Sequence, residues 1–253
     1  MLNSEAKLVI EFRYHNFNLV CVDIYRDVGI VLDVSGSVCL NIVNGGYVRD
    51  HSKLAKAQKF IKDLANIANF KRNGGHGAFM IFSKNMPPEE MDRIRFSEQQ
   101  DLNNYLETID SIIDVVNETD CYDGTYGTTD IINALDVSLA RMFQSSSGMR
   151  EDAEQVAVLI TDGQDSSYGG KIIPEGVLTP KYVEIAQRFK DRKIKILAIG
   201  VGDVSDTNLR RLVQSPQHFF KVEKFADLVG SVTKEVASVI CDEKGTLKRV
   251  DAL

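Results

Sequence analysis

Val28-Gly29-Ile30-Val31-Leu32-Asp33-Val34-Ser35-Gly36-Ser37 is the stretch whose reading decides the fold. A short apolar run delivers one carboxylate and two hydroxyls into a turn softened by Gly36. A bounded run of this length reads as a strand buried on both faces, as in a parallel sheet, with Asp33 where it ends. In an open parallel sheet, ligands bind beyond that carboxyl edge. Asp33, Ser35 and Ser37 alternate, so in an extended or gently curving loop their side chains can converge, while Gly36 lets the backbone come close. All three offer oxygen and none offers nitrogen or sulfur, which suits a hard cation such as Mg²⁺, Mn²⁺ or Ca²⁺. On this segment alone, a Ser/Gly loop whose Asp caps the next helix reads equally well.

Two later stretches move the reading toward a cation. Gly127-Thr128-Thr129-Asp130 is a second hydroxyl-bearing turn that runs into a helical segment, and Leu159-Ile160-Thr161-Asp162-Gly163 is another apolar strand ending in a carboxylate and a glycine. The order Asp-x-Ser-x-Ser, then Thr, then Asp-Gly resembles the metal-ion-dependent adhesion site (MIDAS) of the von Willebrand factor type A family. The resemblance covers roughly residues 26 to 241. It implies Ser35, Ser37 and Thr129 as direct metal ligands, with Asp33 and Asp162 holding coordinated waters. Thr129 is preferred to Thr128 because its distance to Leu135 fits the family pattern. A shell of neutral hydroxyls leaves a cation only partly neutralised, hence electrophilic toward a carboxylate supplied by a partner.

The chain has 253 residues, 43% hydrophobic and 26% charged, with a net charge of -6. That composition suits one soluble globular domain with a large core. The acidic balance, without a Lys/Arg cluster, argues against nucleic acid or an anionic membrane as partner. No apolar stretch approaches the roughly 20 residues of a membrane span. The polar Met1 to Ala6 lacks the apolar core of a signal peptide, so localisation cannot be read from a targeting segment.

Taken in order, 8–12 and 19–22 read as two strands of an N-terminal hairpin-like extension, residues 1–25. The segment 38–51 is an enlarged loop at the rim of the proposed site. Leu54, Ala57, Ile61, Leu64 and Ala68 mark an amphipathic helix with Ser52 as its cap. Residues 78–82 form a buried strand, and Arg93-Ile94-Arg95-Phe96 an antiparallel edge strand. Further helices follow at 102–116 and 132–142, the latter ended by a flexible loop at 144–148. After the strand at 156–160 comes a second enlarged loop, 163–178, and then a helix with Thr179 as N-cap and Pro180 as first residue. Strands at 194–201 and 219–222 and a closing helix from Phe225 to Val239 complete the domain, 26–241, before a tail, 242–253. The fold class is α/β: a doubly wound, mostly parallel sheet with one short antiparallel edge strand and helices on both faces.

Cys21 precedes the first core strand and Cys241 follows the last helix, ends that can lie close together in a doubly wound domain. Pairing of that kind is frequent in extracellular members of the family, and by chain entropy would stabilise by roughly 5 kcal/mol. Cys39 and Cys121 both sit in loops feeding the site, where a second bridge would hold the ligand loops. Asn117-Glu118-Thr119 is a glycosylation acceptor triplet, which matters in a secreted chain.

Enzymatic readings are weaker. An aspartyl-nucleophile phosphotransferase usually needs a second carboxylate two residues after the first, and position 35 is Ser. Gly200-Val201-Gly202 lacks the third glycine of a dinucleotide fingerprint, and the four histidines have no metal spacing. The resemblance implies an extracellular module, not an enzyme, that binds a matrix or cell-surface protein, collagen among the candidates. Tyr47, Tyr126 and Tyr168 are candidate contacts because aromatics are favoured anchors. The alternative is a matrix scaffold whose partner binding does not use the metal.

Overall fold

The strand read at 28–32 forms as Arg26–Asp33, and each of its residues is buried. The computed structural model describes residues 18–21, 25–43, 46–70, 74–84, 86–98, 102–112, 114, 116, 129–165, 173–241 and 247–250. Its strands are β1 (Asn18–Cys21), β2 (Arg26–Asp33), β3 (Leu40–Val43), β4 (Gly46–Arg49), β5 (His76–Phe82), β6 (Asp92–Ile94), β7 (Glu154–Thr161), β8 (Ile194–Val201), β9 (Phe219–Val222) and β10 (Leu247–Val250). Its helices are α1 (Gly36–Cys39), α2 (Ser52–Ile67), α3 (Pro88–Met91), α4 (Leu102–Asp110), α5 (Ile131–Val137), α6 (Glu175–Asp191), α7 (Asp206–Leu212) and α8 (Ser231–Cys241).

The central sheet has six strands in the order β6-β5-β2-β7-β8-β9. Only β6 is antiparallel, paired to β5 at the edge. The near-continuous Val, Ile and Leu runs of β2, β7 and β8 suit strands covered on both faces. α2 packs with α4 and α8, while α6 packs with both α5 and α7. The chain leaves β2 toward β5 and returns to β7 on the other side, so the strand order reverses between β2 and β7. The crevice at such a reversal, beyond the strands' carboxyl ends, is the standard ligand position in this architecture.

Beyond α5, the helix widens into a π-helical turn, Ser138–Met142. Its end packs Met142 and Phe143 onto β2 at Gly29, where a Cβ would overlap both side chains. A glycine in mid-strand here serves close approach.

Several local expectations are corrected. The described part of the enlarged loop 38–51 forms α1 and then the antiparallel pair β3 and β4, in which Ile42 pairs with Tyr47. Ser52 is the first residue of α2 instead of its cap, and its N–H donates to Asp50 Oδ1 at 2.8 Å. Thr179 and Pro180 lie inside α6, which starts at Glu175. Leu178, Tyr182, Ile185 and Phe189 form one buried stripe, and burying its first member draws the helix start back past the proline. The loop at 144–148 is a tight 3₁₀ turn, Ser145–Ser147, closed by Gly148 at φ 87°. The strand read at 19–22 forms as β1, and it pairs with β10. The tail thus contributes a strand, and residues 8–12 lie outside the described residues.

The Cys21–Cys241 bridge forms, with a Cα–Cα distance of 5.8 Å. Both cysteines are fully buried. Cys39 is also disulfide-bonded, and Cys121 lies outside the described residues.

Candidate functional site

Three loops meet at the crevice, each launched by a different element. β2 ends on Asp33, which is fully buried. Its Oδ1 accepts the Ser35 N–H at 2.9 Å, which folds the chain into α1. Its Oδ2 accepts the Thr161 hydroxyl at 2.6 Å from the end of β7. That donor follows from register, because Leu32 pairs with Ile160 and the next residue of each strand therefore faces its neighbour. Burial raises the Asp33 pKa from 3.8 to about 7, with the negative charge of Asp162 adding and the Thr161 and Ser35 hydrogen bonds opposing.

The hydroxyls follow. Ser35 Oγ lies 3.1 Å from Ser37 Oγ. Thr129 Oγ1 donates to Ser35 Oγ at 3.0 Å. Ser37 Oγ donates to Asp162 Oδ1 at 2.5 Å. The structure therefore brings Asp33, Ser35, Ser37, Thr129 and Asp162 together. Asp33, Ser35 and Thr129 form the buried floor, and Ser37 is exposed at the mouth. Among the described residues no three His, Cys, Asp or Glu side chains stand close enough to hold a metal ion between them. What converges here is two carboxylates with three hydroxyls, an oxygen set suited to a hard cation.

Thr129 is held from behind. It makes a parallel bridge with Asp165, whose Oδ1 accepts the Ile131 N–H at 2.7 Å and whose Oδ2 accepts the Tyr182 hydroxyl from α6. Burial raises Asp165 to about 6, against those two hydrogen bonds. Asp130 caps α5 through the Asn133 N–H at 3.1 Å. Gly163 passes so close that a Cβ there would overlap Thr129 Oγ1.

Four participants escape the sequence reading. Thr161 needs the strand register, and the Asp165–Tyr182 contact needs the packing of α6. Lys53 carries no spacing signal: its Nζ donates to the Ser37 carbonyl at 2.6 Å and lies 3.3 Å from Asp162 Oδ2. Of the tyrosines named as contacts, Tyr47 lies on β4, while Tyr126 and Tyr168 fall outside the described residues.

The chain is 28% identical over 190 residues to the mouse (Mus musculus) collagen alpha-4(VI) chain, covering 75% of this chain and 7% of that one. It is 27% identical over 113 residues to human (Homo sapiens) matrilin-1, covering 44% and 20%. This chain thus matches only a small part of either relative's length. Among solved structures, proximal thread matrix protein 1 from the mussel byssus, with a zinc-occupied MIDAS motif, superposes with a TM-score of 0.66 at 17% identity, covering 88% of this chain and 49% of that one. The manganese-loaded Plasmodium vivax TRAP protein superposes at 0.52 and 19% identity, covering 93% and 79%. A family model described as the von Willebrand factor type A domain matches residues 27–235, most of the chain, and the protein belongs to that family.

Proposed function

We propose that residues 26–241 form an extracellular protein-binding module that engages its partner through a divalent cation. Ser35, Ser37 and Thr129 would hold the ion directly, with Asp33 and Asp162 behind them through water. The observation that carries this reading is the spacing of the hydroxyls. Ser35 Oγ is 3.1 Å from Ser37 Oγ and 3.0 Å from Thr129 Oγ1. Neighbouring ligands of an octahedral cation bound at about 2.1 Å stand about 3.0 Å apart. The cation in this reading is Mg²⁺, with Mn²⁺ or Ca²⁺ as substitutes. The ion would supply a Lewis-acidic position for a Glu or Asp from a matrix or cell-surface protein, collagen among the candidates.

The chain's own residues prepare that position. Thr161 and the Ser35 N–H orient the Asp33 carboxylate, Gly163 admits Thr129, and Ser37 opens the site to solvent. The relatives support an extracellular setting, since the collagen and matrilin chains it resembles are matrix proteins. Among the described residues no helix is long and apolar enough to cross a membrane. The hairpin β3–β4, carrying Tyr47, and the segment that carries Tyr168 flank the sequence positions of the site and would set specificity.

The test is binding of the domain to immobilised collagens and other matrix proteins in Mg²⁺, Mn²⁺ or chelator, beside Asp33→Ala. Binding lost with both chelator and the variant is the expected result. Binding that survives both sinks the bridging mechanism and leaves a scaffold that meets its partner elsewhere.

A further inference from the structure

The Lys53 ammonium stands within the charge of the proposed cation site. Lys53 is the second residue of α2. The helix macrodipole disfavours a cation there, because the first turn already presents unpaired N–H groups and partial positive charge. The first turn of α2 also contains no acidic residue. The first turn itself offers the charge no partner. Its partners lie across the crevice: the Ser37 carbonyl at 2.6 Å and Asp162 Oδ2 at 3.3 Å. Asp162 is 8% exposed and Lys53 43%, so the carboxylate is the buried partner and the ammonium the movable one.

Beside this contact opens a cavity of about 430 Å³. Ser37, Lys53, Asp162, Asp203, Glu223 and Phe225 are among the residues that line it. Neither the Asp203 nor the Glu223 carboxylate has an ion-pair partner among the described residues. A lysine with four rotatable bonds that pairs with Asp162 thus shares its cavity with two further carboxylates, Asp203 and Glu223.

We infer that Lys53 is a charge-selecting residue of the cation site: its ammonium neutralises Asp162 when no metal ion is bound, and a divalent ion must displace it toward Asp203 and Glu223. This inference rests on the cation reading proposed above. A monovalent ion offers Asp162 no more charge than the ammonium already does, so it gains little by displacing a tethered competitor. A divalent ion brings twice the charge and three hydroxyl ligands besides. The lysine therefore costs affinity for every cation and discriminates most against the singly charged ones.

The test measures Mn²⁺ affinity by titration calorimetry and unfolding midpoints in chelator for wild type, Lys53→Met, Lys53→Arg and, as a surface control from the same cavity, Lys56→Met. Lys53→Met is expected to bind Mn²⁺ about tenfold more tightly than wild type and to be weakened by competing Na⁺ where wild type is not. Its midpoint in chelator should fall while its rise on adding Mn²⁺ grows. Lys53→Arg, which keeps the charge, and Lys56→Met should both follow wild type. Equal or weaker Mn²⁺ binding by Lys53→Met, beside a wild type that binds, overturns the inference and leaves the cation site standing. Absence of Mn²⁺ binding in both proteins overturns the cation site and this inference with it.

Discussion

β2 buries one aspartate at each end, and the two are handled in opposite ways. Asp27 and Asp33 are both fully buried. At the amino end, Arg150 meets Asp27 with its guanidinium at 2.6 and 2.8 Å and with its own backbone N–H at 2.6 Å. Arg26 and Lys195 close the surrounding network on Glu154, each at 2.8 Å, and the Tyr25 ring lies 4.2 Å under Arg150. At the carboxyl end, Asp33 receives one hydroxyl and one N–H. The ammonium of Lys53 at this end faces Asp162, not Asp33. One edge of the sheet is closed by the protein's own positive charge. The other is left short of it, and that shortage is what a cation from solution would supply.

The comparison breaks most visibly at Arg150. Arg150→Met takes the guanidinium from buried Asp27, which keeps the N–H of residue 150 and the Gln155 amide at 3.4 Å; removing one partner of a buried pair typically costs about 3 to 5 kcal/mol, and the kept donors put this loss toward the lower end. Urea unfolding should show that loss, identical in Mn²⁺ and in chelator, because this edge has no share in the proposed cation site. A loss below about 1 kcal/mol, or one restored by Mn²⁺, would mean that the two edges are not independent.

Asp33 provides the opposite sign. Its pKa is raised from 3.8 to about 7, so between those values the folded protein holds a proton that the unfolded chain has released. The resulting stabilisation is complete below pH 3.8 and is lost as pH rises to about 7. In chelator, wild type should lose about 3 kcal/mol relative to Asp33→Asn between pH 5 and pH 8. Groups that do not interact with residue 33 cancel in that difference. Saturating Mn²⁺ favours the charged carboxylate and should shrink or invert it. Parallel profiles in chelator would show that Asp33 is as well compensated as its counterpart.

The two edges were not equally legible in the sequence. The carboxyl edge announces itself because strand ends carry its residues: Asp33 closes one apolar run, Asp162 follows another, and β8 and β9 run over the expected 194–201 and 219–222. Strand termini are set by local pattern, so residues beside them can be placed without the tertiary structure. The Asp27–Arg150 pair joins positions 123 residues apart, and nothing in the pattern around Arg150 points to β2. Lys53 is hidden for the same reason, since helical periodicity places it at the start of α2 and says nothing of the loop it faces. The hairpin β3–β4 did leave a signal, Asn44-Gly45 between short apolar segments, of the kind that marks hairpin turns. The early start of α6 left none, because Leu178 reads as a loop residue until Tyr182 and Ile185 are seen to share its face.

Glycines sharpen the comparison at the smallest scale. Gly29 and Gly163 each admit a neighbour that a Cβ would overlap, Met142 and Phe143 at the first and Thr129 Oγ1 at the second. Overpacking of this kind typically costs 1 to 3 kcal/mol, and Gly163→Ala belongs near about 1 kcal/mol because its loop lies at the mouth of the crevice, where the chain can yield. What differs is where the displacement goes. At Gly29 it enters the apolar packing between β2 and the π-helical turn, so Gly29→Ala should lower stability and leave cation affinity unchanged. At Gly163 it moves a hydroxyl now 3.0 Å from Ser35 Oγ, and a shift of a few tenths of an ångström spoils an octahedral edge that Mg²⁺ tolerates poorly. Gly163→Ala should therefore weaken Mg²⁺ binding more than Ca²⁺ binding, because Ca²⁺ accepts longer and less regular contacts. Calorimetric titration of both ions reads this directly. Equal losses for the two would argue that Thr129 holds no place in the cation's shell.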